Sequence, residues 1–342
     1  MPSDTIAPDR PSRPPSLAYA AWTRLAEFAA AKPVAWVLKL GLSAGLIALV
    51  CRHIDGRALV DSFARQSPLW IAAAVLIGVL QIALLTLRWQ QILRGLGAKS
   101  GLGSALAVTY MGCFFGAILF GPTGGDVTRA MLAPARSLGR TAIVHSVLFE
   151  RLASVIGLGL AGAPLVLVAA SPLASGLPLA AALAVLALPF LAIACLAWLA
   201  RATAQRTGAL FVALRELDQS RQRLCRVWPR FAAAVAIAAA GQLLVAAEAW
   251  CLSQSQHLGV PFLDFAMLMP PVMLVVALPI SAGGWGVREG AMVAALALVG
   301  VGSASALLLS VELGLLWTLV SLPGGAIWLH RCFARSVQPL GA

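Results

Sequence analysis

The stretch GGWGVRE at residues 283–289 repeats the pattern of GGDVTR at residues 124–129: a glycine pair is followed by an arginine four positions after its second glycine. A proline lies upstream of each pair, at Pro122 and Pro279, and both copies fall inside apolar regions. Such a cluster is expected to break a membrane helix and to leave a charge at depth. Broken backbone in the hydrocarbon is tolerated only where protein buries it or water reaches it. Two copies therefore predict a polar cavity that serves transport.

Composition places the chain among polytopic membrane proteins. Of its 342 residues, 60% are hydrophobic and 11% are charged, and the mean hydropathy is +0.89, whereas soluble domains carry about 25% charged residues. The net charge of +12 lies in loops between apolar segments, so it indicates membrane topology and not nucleic-acid binding. The six cysteines form no CxxC pair and the four histidines are dispersed. No metal site, cofactor or disulfide framework is therefore predicted.

Hydropathy predicts six full membrane spans, each close to the length of about 20 residues that crosses a bilayer. Two further apolar regions, 102–138 and 262–300, contain the glycine pairs. The predicted spans are 34–51, 68–87, 142–170, 178–200, 232–252 and 303–329.

The two interrupted regions either cross the membrane fully or enter and return on the same side, and the distribution of arginine decides between these topologies. If both interrupted regions enter and return on the same side, most arginines lie on the cytoplasmic side, including the seven between 201 and 230. Only Arg52, Arg57 and Arg65 then remain in an external loop. The predicted fold class is an all-α polytopic membrane protein with about six full spans and two re-entrant helical hairpins, and with both termini cytoplasmic.

Each half of this topology reads span, span, hairpin, span, so the second half inserts upside down relative to the first. Inverted repeats of this kind bind substrate near the bilayer midplane, where broken helices of the two halves meet. We therefore expect the two glycine motifs to face one another across a shared cavity, although a purely structural role in close helix packing stays open.

The predicted division is a polar N-terminal tail with an interfacial helix or a frayed first span at 1–33, repeats at 34–170 and 171–335, and a short C-terminal tail at 336–342.

Several charged residues lie deep in the predicted spans. Glu150 and Arg151 follow the start of their span by about 12 Å, at 1.5 Å per residue, and Glu312 is similarly deep in the last span. An uncompensated carboxylate at the bilayer centre costs on the order of 2.5–3.5 kcal/mol, so each should have a partner. Because Glu150 and Arg151 point about 100° apart on a helix, each should reach a different helix. Glu248 lies nearer the end of its span and is expected to be interfacial and solvated.

Four stretches resemble the transmembrane domain of the lysylphosphatidylglycerol synthase family, a flippase-like membrane module. They are LRWQQILRGLGAKS at 87–100, GPTGGDVTRAMLAPARSLGRTAIVHSVLFERLASVIGL at 121–158, LPISAGGWGVREGAMVAALALVG at 278–300 and SVELGLLWTLVSLPGGAIWL at 310–329. The resemblance covers nearly the whole chain after residue 34. It implies a lipid-handling membrane protein, because in fused members this module is associated with moving aminoacylated phospholipid between leaflets. We expect a stand-alone member without the soluble aminoacyl-transfer domain, hence without synthase activity, and its substrate need not be lysylphosphatidylglycerol.

The predicted substrate-binding residues are the positions that match the family motifs, together with Trp285 and Glu312. The matching positions are Gly124, Gly125, Asp126, Arg129, Glu150, Arg151, Gly283, Gly284, Gly286, Arg288 and Glu289. Arg129 and Arg288 are the candidates to hold a phosphate, because guanidinium forms paired hydrogen bonds to phosphate oxygens. Trp285 either lines the lipid path or packs against the returning hairpin.

The carboxylates Glu150, Glu289 and Glu312 have two open roles. They either neutralise the arginines of the empty site or carry protons for coupled movement. The first is the preferred interpretation.

The predicted function is a membrane lipid transporter, not an enzyme, that moves an anionic or aminoacylated lipid of the phospholipid or polyprenyl-phosphate type between leaflets. The alternative is a non-transporting lipid-binding accessory subunit of a membrane lipid or glycan biosynthesis enzyme. Membrane lipids are the expected partners, with such an enzyme as a further one, and the oligomeric state is not predicted. Arginine far outnumbers lysine and alanine is abundant, a composition that suggests a GC-rich bacterial genome and places the protein in a bacterial inner membrane.

Overall fold

The computed structural model describes residues 66–98, 101–133, 140–168, 209–277 and 285–336, with a few isolated positions between 194 and 202. Regular structure in these ranges is helical, with no strand. The α-helices described over these ranges are α1 Pro68–Gly95, α2 Leu102–Phe115, α3 Gly121–Leu132, α4 Arg140–Val168, α5 Ala209–Arg226, α6 Trp228–Ser255, α7 Phe262–Ala277, α8 Val287–Ala297 and α9 Ser303–Ser336.

Among the described helices, four are long and apolar enough to cross a membrane: Pro68–Gly95, Ala142–Gly162, Trp228–Ser255 and Ser303–Phe333. They correspond to four of the six predicted spans. The other two, 34–51 and 178–200, lie outside the described residues apart from a few positions of the second. The chain is thus a membrane protein with several apolar helices, and the full count of six spans stays a prediction.

The centre of the bundle is the pair α1 and α6, which run antiparallel and pack along their length. The backbone N–H of Ser67 donates to the carbonyl of Ser255 at 3.3 Å, so the start of α1 lies beside the end of α6. Around this pair, α4 and α7 cover α6, and α9 contacts α1, α2 and α8. On the outside of α9, Leu315 and Leu319 are each more than half exposed, which is typical of a lipid-facing helix surface.

The first interrupted region folds back on itself. Helices α2 and α3 are joined by a π-helical turn at Gly116–Phe120. Gly112 and Gly125 are thirteen residues apart, which would be about 20 Å along a straight helix, yet a Cβ added at Gly125 would lie 2.7 Å from the carbonyl oxygen of Gly112. The two helices therefore lie side by side with almost no room between their backbones.

The prediction that the first glycine pair breaks the helix is wrong. Gly124 and Gly125 lie inside α3, and the change of direction is upstream, at Gly116–Phe120. The physical reason is packing: Gly125 must lack a side chain for α3 to approach Gly112 on α2. The structural alternative considered for the glycines, close helix packing, thus applies to this copy.

The second interrupted region comprises α7 and α8, which contact each other. Two consecutive prolines, Pro270 and Pro271, lie inside α7. Gly286 immediately precedes α8 and has a positive φ of 85°, a conformation that glycine adopts at little cost. Residues 278–284, which include Gly283 and Gly284, lie outside the described residues.

Candidate functional site

Five charged side chains from three helices form one network, here called the first ionic cluster. Arg88 comes from α1, Asp126 and Arg129 come from α3, and Glu150 and Arg151 come from α4. Four of the five were predicted site residues, and the structure brings all four together. Arg88 was assigned by sequence to the cytoplasmic side, with the basic loops.

Glu150 is the central acceptor of the first ionic cluster. Its Oε1 accepts hydrogen bonds from Arg88 Nη2 at 2.9 Å and Arg88 Nε at 3.2 Å. Its Oε2 lies 2.6 Å from Arg129 Nη1, an ion pair without hydrogen-bond geometry. The residue is only 1% exposed. Two guanidinium groups therefore compensate one buried carboxylate, as the expected cost of burying it requires.

Asp126 joins the other two arginines. Its Oδ1 accepts from Arg129 Nη2, and its Oδ2 accepts from Arg151 Nε at 2.6 Å. Because Asp126 and Arg129 are three residues apart on α3, they lie on one face of the helix. The prediction that Glu150 and Arg151 each reach another helix is confirmed, since Glu150 reaches α1 and α3 and Arg151 reaches α3.

Uncharged neighbours hold Arg129 in place. Its guanidinium carbon lies 5.5 Å from the centre of the Trp89 ring, within the range of a cation–π contact. The Trp89 indole N–H donates to Ser146 Oγ at 3.1 Å. The side-chain stem of Arg129 passes Gly112 so closely that a Cβ there would lie 2.6 Å from Cγ. The glycine contact that folds α3 onto α2 therefore also positions this arginine.

The first ionic cluster has an excess of positive charge and one exposed member. Three guanidinium groups face two carboxylates, which leaves one net positive charge. The side chain of Arg129 is 7% exposed, whereas that of Arg151 is 45% exposed. Arg151 lies three and seven residues after Leu148 and Val144, both about half exposed on α4. The cluster thus reaches the lipid-facing surface of α4 through Arg151.

The second arginine motif forms a separate group, here called the second ionic cluster, of Trp285, Arg288, Glu289 and Ser310. Arg288 Nη2 donates to Glu289 Oε1 at 2.6 Å, and Arg288 Nε donates to Ser310 Oγ at 3.3 Å. The Trp285 ring centre lies 4.5 Å from the guanidinium carbon. One arginine and one glutamate make this cluster neutral. Trp285 therefore packs on Arg288, and the two roles predicted for it, lining the lipid path and packing against the returning hairpin, stay predictions.

Glu289 also caps helix α8. Its Oε2 accepts the backbone N–H of Gly286 at 2.5 Å, the arrangement that a glutamate at the third helical position makes with the residue before the helix. Both oxygens of this buried carboxylate are thereby used, one for the backbone and one for Arg288. The backbone of Gly286, with its positive φ, and the charge pair are therefore held by the same side chain.

Helix α9 packs against the elements of both clusters but at different levels. Gly314 faces the guanidinium group of Arg288, and Gly324 faces the backbone carbonyl of Tyr110 on α2. These glycines are ten residues apart, or about 15 Å along the helix. Among the described residues, no hydrogen bond or ion pair connects the two clusters. The expectation that both motifs share one cavity stays a prediction.

Glu312 lies two residues after Ser310 on α9 and is 7% exposed. Gln256 Nε2 donates to its Oε2 at 2.9 Å, and Gln66 Nε2 donates to its Oε1. Because Gln66 precedes α1 and Gln256 follows α6, the second ionic cluster lies toward the start of α1. The first cluster, which contains Arg88, lies toward its opposite end. The two clusters are thus near opposite ends of the bundle.

Glu248 corrects another prediction. It is 2% exposed, so the prediction that it is solvated is wrong. Its Oε2 accepts from the side-chain amide of Gln81 on α1, and its Oε1 has no hydrogen-bond partner. Glu248 was predicted to be solvated from its distance to the end of the span, whereas its burial is set by the neighbouring helices.

Sequence reasoning missed several residues that shape these sites. Arg88 follows the predicted end of its span at 87, but α1 continues to Gly95, and the apolar period through Ile92, Leu93 and Leu96 was the available signal. Ser310 and Gly314 carry no motif that separates them from other small residues of apolar helices. Their roles follow from the position of Arg288.

A cavity of about 370 Å³ lies away from both arginine motifs. It is enclosed by the α6–α7 loop and the α8–α9 loop, and its lining includes His257, Asp264 and Gly300. Across the described ranges, no three His, Cys, Asp or Glu side chains are grouped as metal ligands.

Comparison with protein families identifies most of the chain. A family model described as the lysylphosphatidylglycerol synthase TM region matches residues 36–325. A comparison with curated proteins gave no match.

Proposed function

Because the chain belongs to the family of the lysylphosphatidylglycerol synthase TM region, we propose that it is a membrane lipid transporter of the flippase type. Its substrate would be an anionic or aminoacylated lipid, of the phospholipid or polyprenyl-phosphate class, and it would cross between leaflets. One observation carries the proposal: the first ionic cluster holds a net positive charge among apolar helices and reaches the lipid-facing surface at Arg151.

In this proposal, Arg151 makes the first contact with the lipid phosphate. Its guanidinium group is the most exposed of the three, and it lies on the same face of α4 as Val144 and Leu148. A headgroup can therefore reach it from the side while the acyl chains remain against apolar residues. The phosphate would replace Asp126 as an acceptor, because phosphate oxygens form strong charge-assisted bonds to guanidinium.

Arg129 has a different role from the one expected from sequence. It is buried and already shared between Asp126 and Glu150, so it organises the site instead of meeting the headgroup first. Arg288 is similarly paired with Glu289. It would bind a headgroup only when this neutral pair opens. We assign both clusters to binding and not to catalysis.

We place the protein in a bacterial inner membrane as an inverted repeat of six spans and two re-entrant hairpins, with cytoplasmic termini. The fold-back of α2 onto α3 at Gly112 and Gly125 supports the first hairpin. The positions of the two clusters near opposite ends of the bundle support the inverted relation of the two motifs. In this orientation the first ionic cluster lies toward the cytoplasm.

A liposome assay with the purified full chain tests the proposal. Labelled phosphatidylglycerol, lysylphosphatidylglycerol, phosphatidylcholine and a polyprenyl phosphate would be followed between leaflets for wild type and Arg151→Gln. We expect the variant to move the preferred lipid about tenfold more slowly, since a charge-assisted hydrogen bond contributes about 1.5–3 kcal/mol and partial exposure reduces this. The control is Arg221→Gln, which changes an arginine paired with Asp218 on α5, away from both clusters.

The outcomes separate transport from binding. Loss of movement in Arg151→Gln with normal thermal stability, and normal movement in Arg221→Gln, would support the assignment. Wild-type protein that moves no lipid would refute transport. If that protein still retained one lipid class during purification, a lipid-binding accessory subunit would be the better description.

A further inference from the structure

We propose that Glu248 is a proton-binding site within the membrane-spanning bundle, between the levels of the two ionic clusters, and that it takes up and releases one proton during each transport cycle. The link to lipid movement rests on the proposed function, whereas proton binding itself does not. Three observations carry the inference: the depth of the residue, the absence of a cation beside it among the described residues, and the free oxygen of its carboxyl group.

The depth follows from the partner helix. Gln81, which donates to Glu248, is thirteen residues from the first residue of α1 and fourteen from its last, so about 20 Å of helix extends on each side. On α9, the neighbours of the site are Leu316 and Val320. Leu316 is six residues past Ser310, or about 9 Å along the helix. Glu248 thus lies between the levels of the two ionic clusters.

The residues that the structure describes around Glu248 include no compensating charge. Helix α1 contributes the Gln81 amide and Gly78, where a Cβ would lie 3.2 Å from Glu248 Oε1. Helix α9 contributes Leu316 and Val320, and the titratable neighbour on its own helix is Cys251. In the described part of the chain, α4, α5 and α7 pack on α6 without giving Glu248 an ion pair or a hydrogen bond.

This environment suits a carboxyl group that holds a proton when closed. A buried carboxylate without a cation is expensive in hydrocarbon, and the single amide donor of Gln81 satisfies one oxygen only. The other oxygen, Oε1, is unpartnered and faces Gly78. A Cβ at Gly78 would also lie 3.0 Å from Leu316 and 3.3 Å from Val320, so the helices pack closely around the carboxyl group. Release of the proton therefore requires these helices to move apart, so that a water or headgroup oxygen can reach Oε1.

The coupling follows from charge. Between the two clusters an anionic headgroup passes the level of Glu248, and a carboxylate there would repel it through a medium of low dielectric constant. A neutral carboxyl group would not. Proton uptake from one side and release to the other would therefore accompany each passage of the lipid. In each transfer the O–H bond of the carboxyl group breaks and an O–H bond forms on the water or headgroup oxygen that accepts the proton, and uptake reverses this; no other bond changes.

Infrared spectroscopy of the full chain in lipid bilayers tests the proton site without any transport measurement. Wild type should show the C=O stretch of a protonated carboxyl group at neutral pH, shifted in D₂O, and Glu248→Gln should lack it. The control Glu216→Gln changes an exposed carboxyl group on α5 and should leave the band unchanged. Absence of the band in wild type, or its persistence in Glu248→Gln, would overturn the inference.

The coupling is tested in liposomes with an imposed pH gradient. With one proton per lipid, a gradient of one pH unit should shift the steady-state leaflet distribution about tenfold, and the shift should vanish in Glu248→Gln while Glu216→Gln retains it. If the leaflet distribution produced by wild type did not change with the pH gradient, the proposed coupling would be wrong. If wild type moved no lipid at all, the proposed function would fail, and the infrared band would still decide whether Glu248 holds a proton.

Discussion

Two carboxyl groups that are equally buried, those of Glu150 and Glu248, are expected to respond in opposite ways to replacement by glutamine. They are 1% and 2% exposed, and both lie in membrane helices. They differ in their partners. Glu150 compensates Arg88 and Arg129, whereas Glu248 meets one amide.

Glu150→Gln leaves two buried guanidinium groups with less compensation. Breaking a buried ion pair by removal of one partner costs about 3–5 kcal/mol. Arg129 keeps Asp126, so we expect the lower end of this range. At about 2–4 °C per kcal/mol for a chain of moderate size, the melting temperature should fall by about 6–12 °C. Glu248→Gln removes no cation's partner and keeps a donor and an acceptor for Gln81, so its melting temperature should equal or exceed that of wild type.

The measurement is thermal unfolding of the purified chains by tryptophan fluorescence, in one detergent and at one scan rate. Replacing Arg88 with methionine in the Glu150→Gln background should recover part of the lost stability, because one uncompensated charge is removed. Equal shifts for the two glutamine variants, or a larger loss for Glu248→Gln, would refute the assignment of Glu150 as the organiser of the ionic cluster.

Two further substitutions test the packing of the motifs. Gly125→Ala should destabilise the protein and slow lipid movement, because the new Cβ would lie 2.7 Å from the Gly112 carbonyl oxygen. The control is Gly241→Ala, whose Cβ would meet nothing within 4 Å, and which should be neutral or stabilise α6 by up to about 1 kcal/mol. Equal melting temperatures for the two variants would contradict the close helix contact. Trp285→Leu should lower stability by about 0.5–2 kcal/mol through loss of the cation–π contact with Arg288, and an unchanged melting temperature would remove the ring from the description of the second cluster.

The sequence predicts the long helices well because the bilayer sets their length. Four spans were located by hydropathy alone, and the structure places helices at each. The direction of the chain between them is harder, because it depends on contacts between residues distant in sequence. The turn at Gly116–Phe120 carries no glycine pair or proline of its own, and it exists because Gly112 and Gly125 allow α2 and α3 to touch.

The site was predicted in part for a related reason. Charge and depth were enough to expect that Glu150 and Arg151 each reach a helix other than their own, since an unpaired charge in hydrocarbon is costly. The identity of the partners was not readable. Arg88 was placed outside its span because hydropathy falls before α1 ends. The burial of Glu248 was not readable because the amide that donates to it comes from another helix.

The charge balance of the two clusters bears on which lipid the protein would favour. The first ionic cluster carries one net positive charge and the second carries none. At about 5 Å and an effective dielectric constant of about 20, one unit charge changes the energy of a headgroup by about 3 kcal/mol. An anionic headgroup gains this energy at the first cluster, whereas a lysyl ester with net positive charge loses it unless its phosphate alone reaches Arg151. Under the proposed function, this geometry would favour an anionic lipid over a cationic aminoacylated one, and the first cluster would be the tighter of the two binding positions. Release from that position is then the step that needs a driving force, which a proton carried by Glu248 would supply.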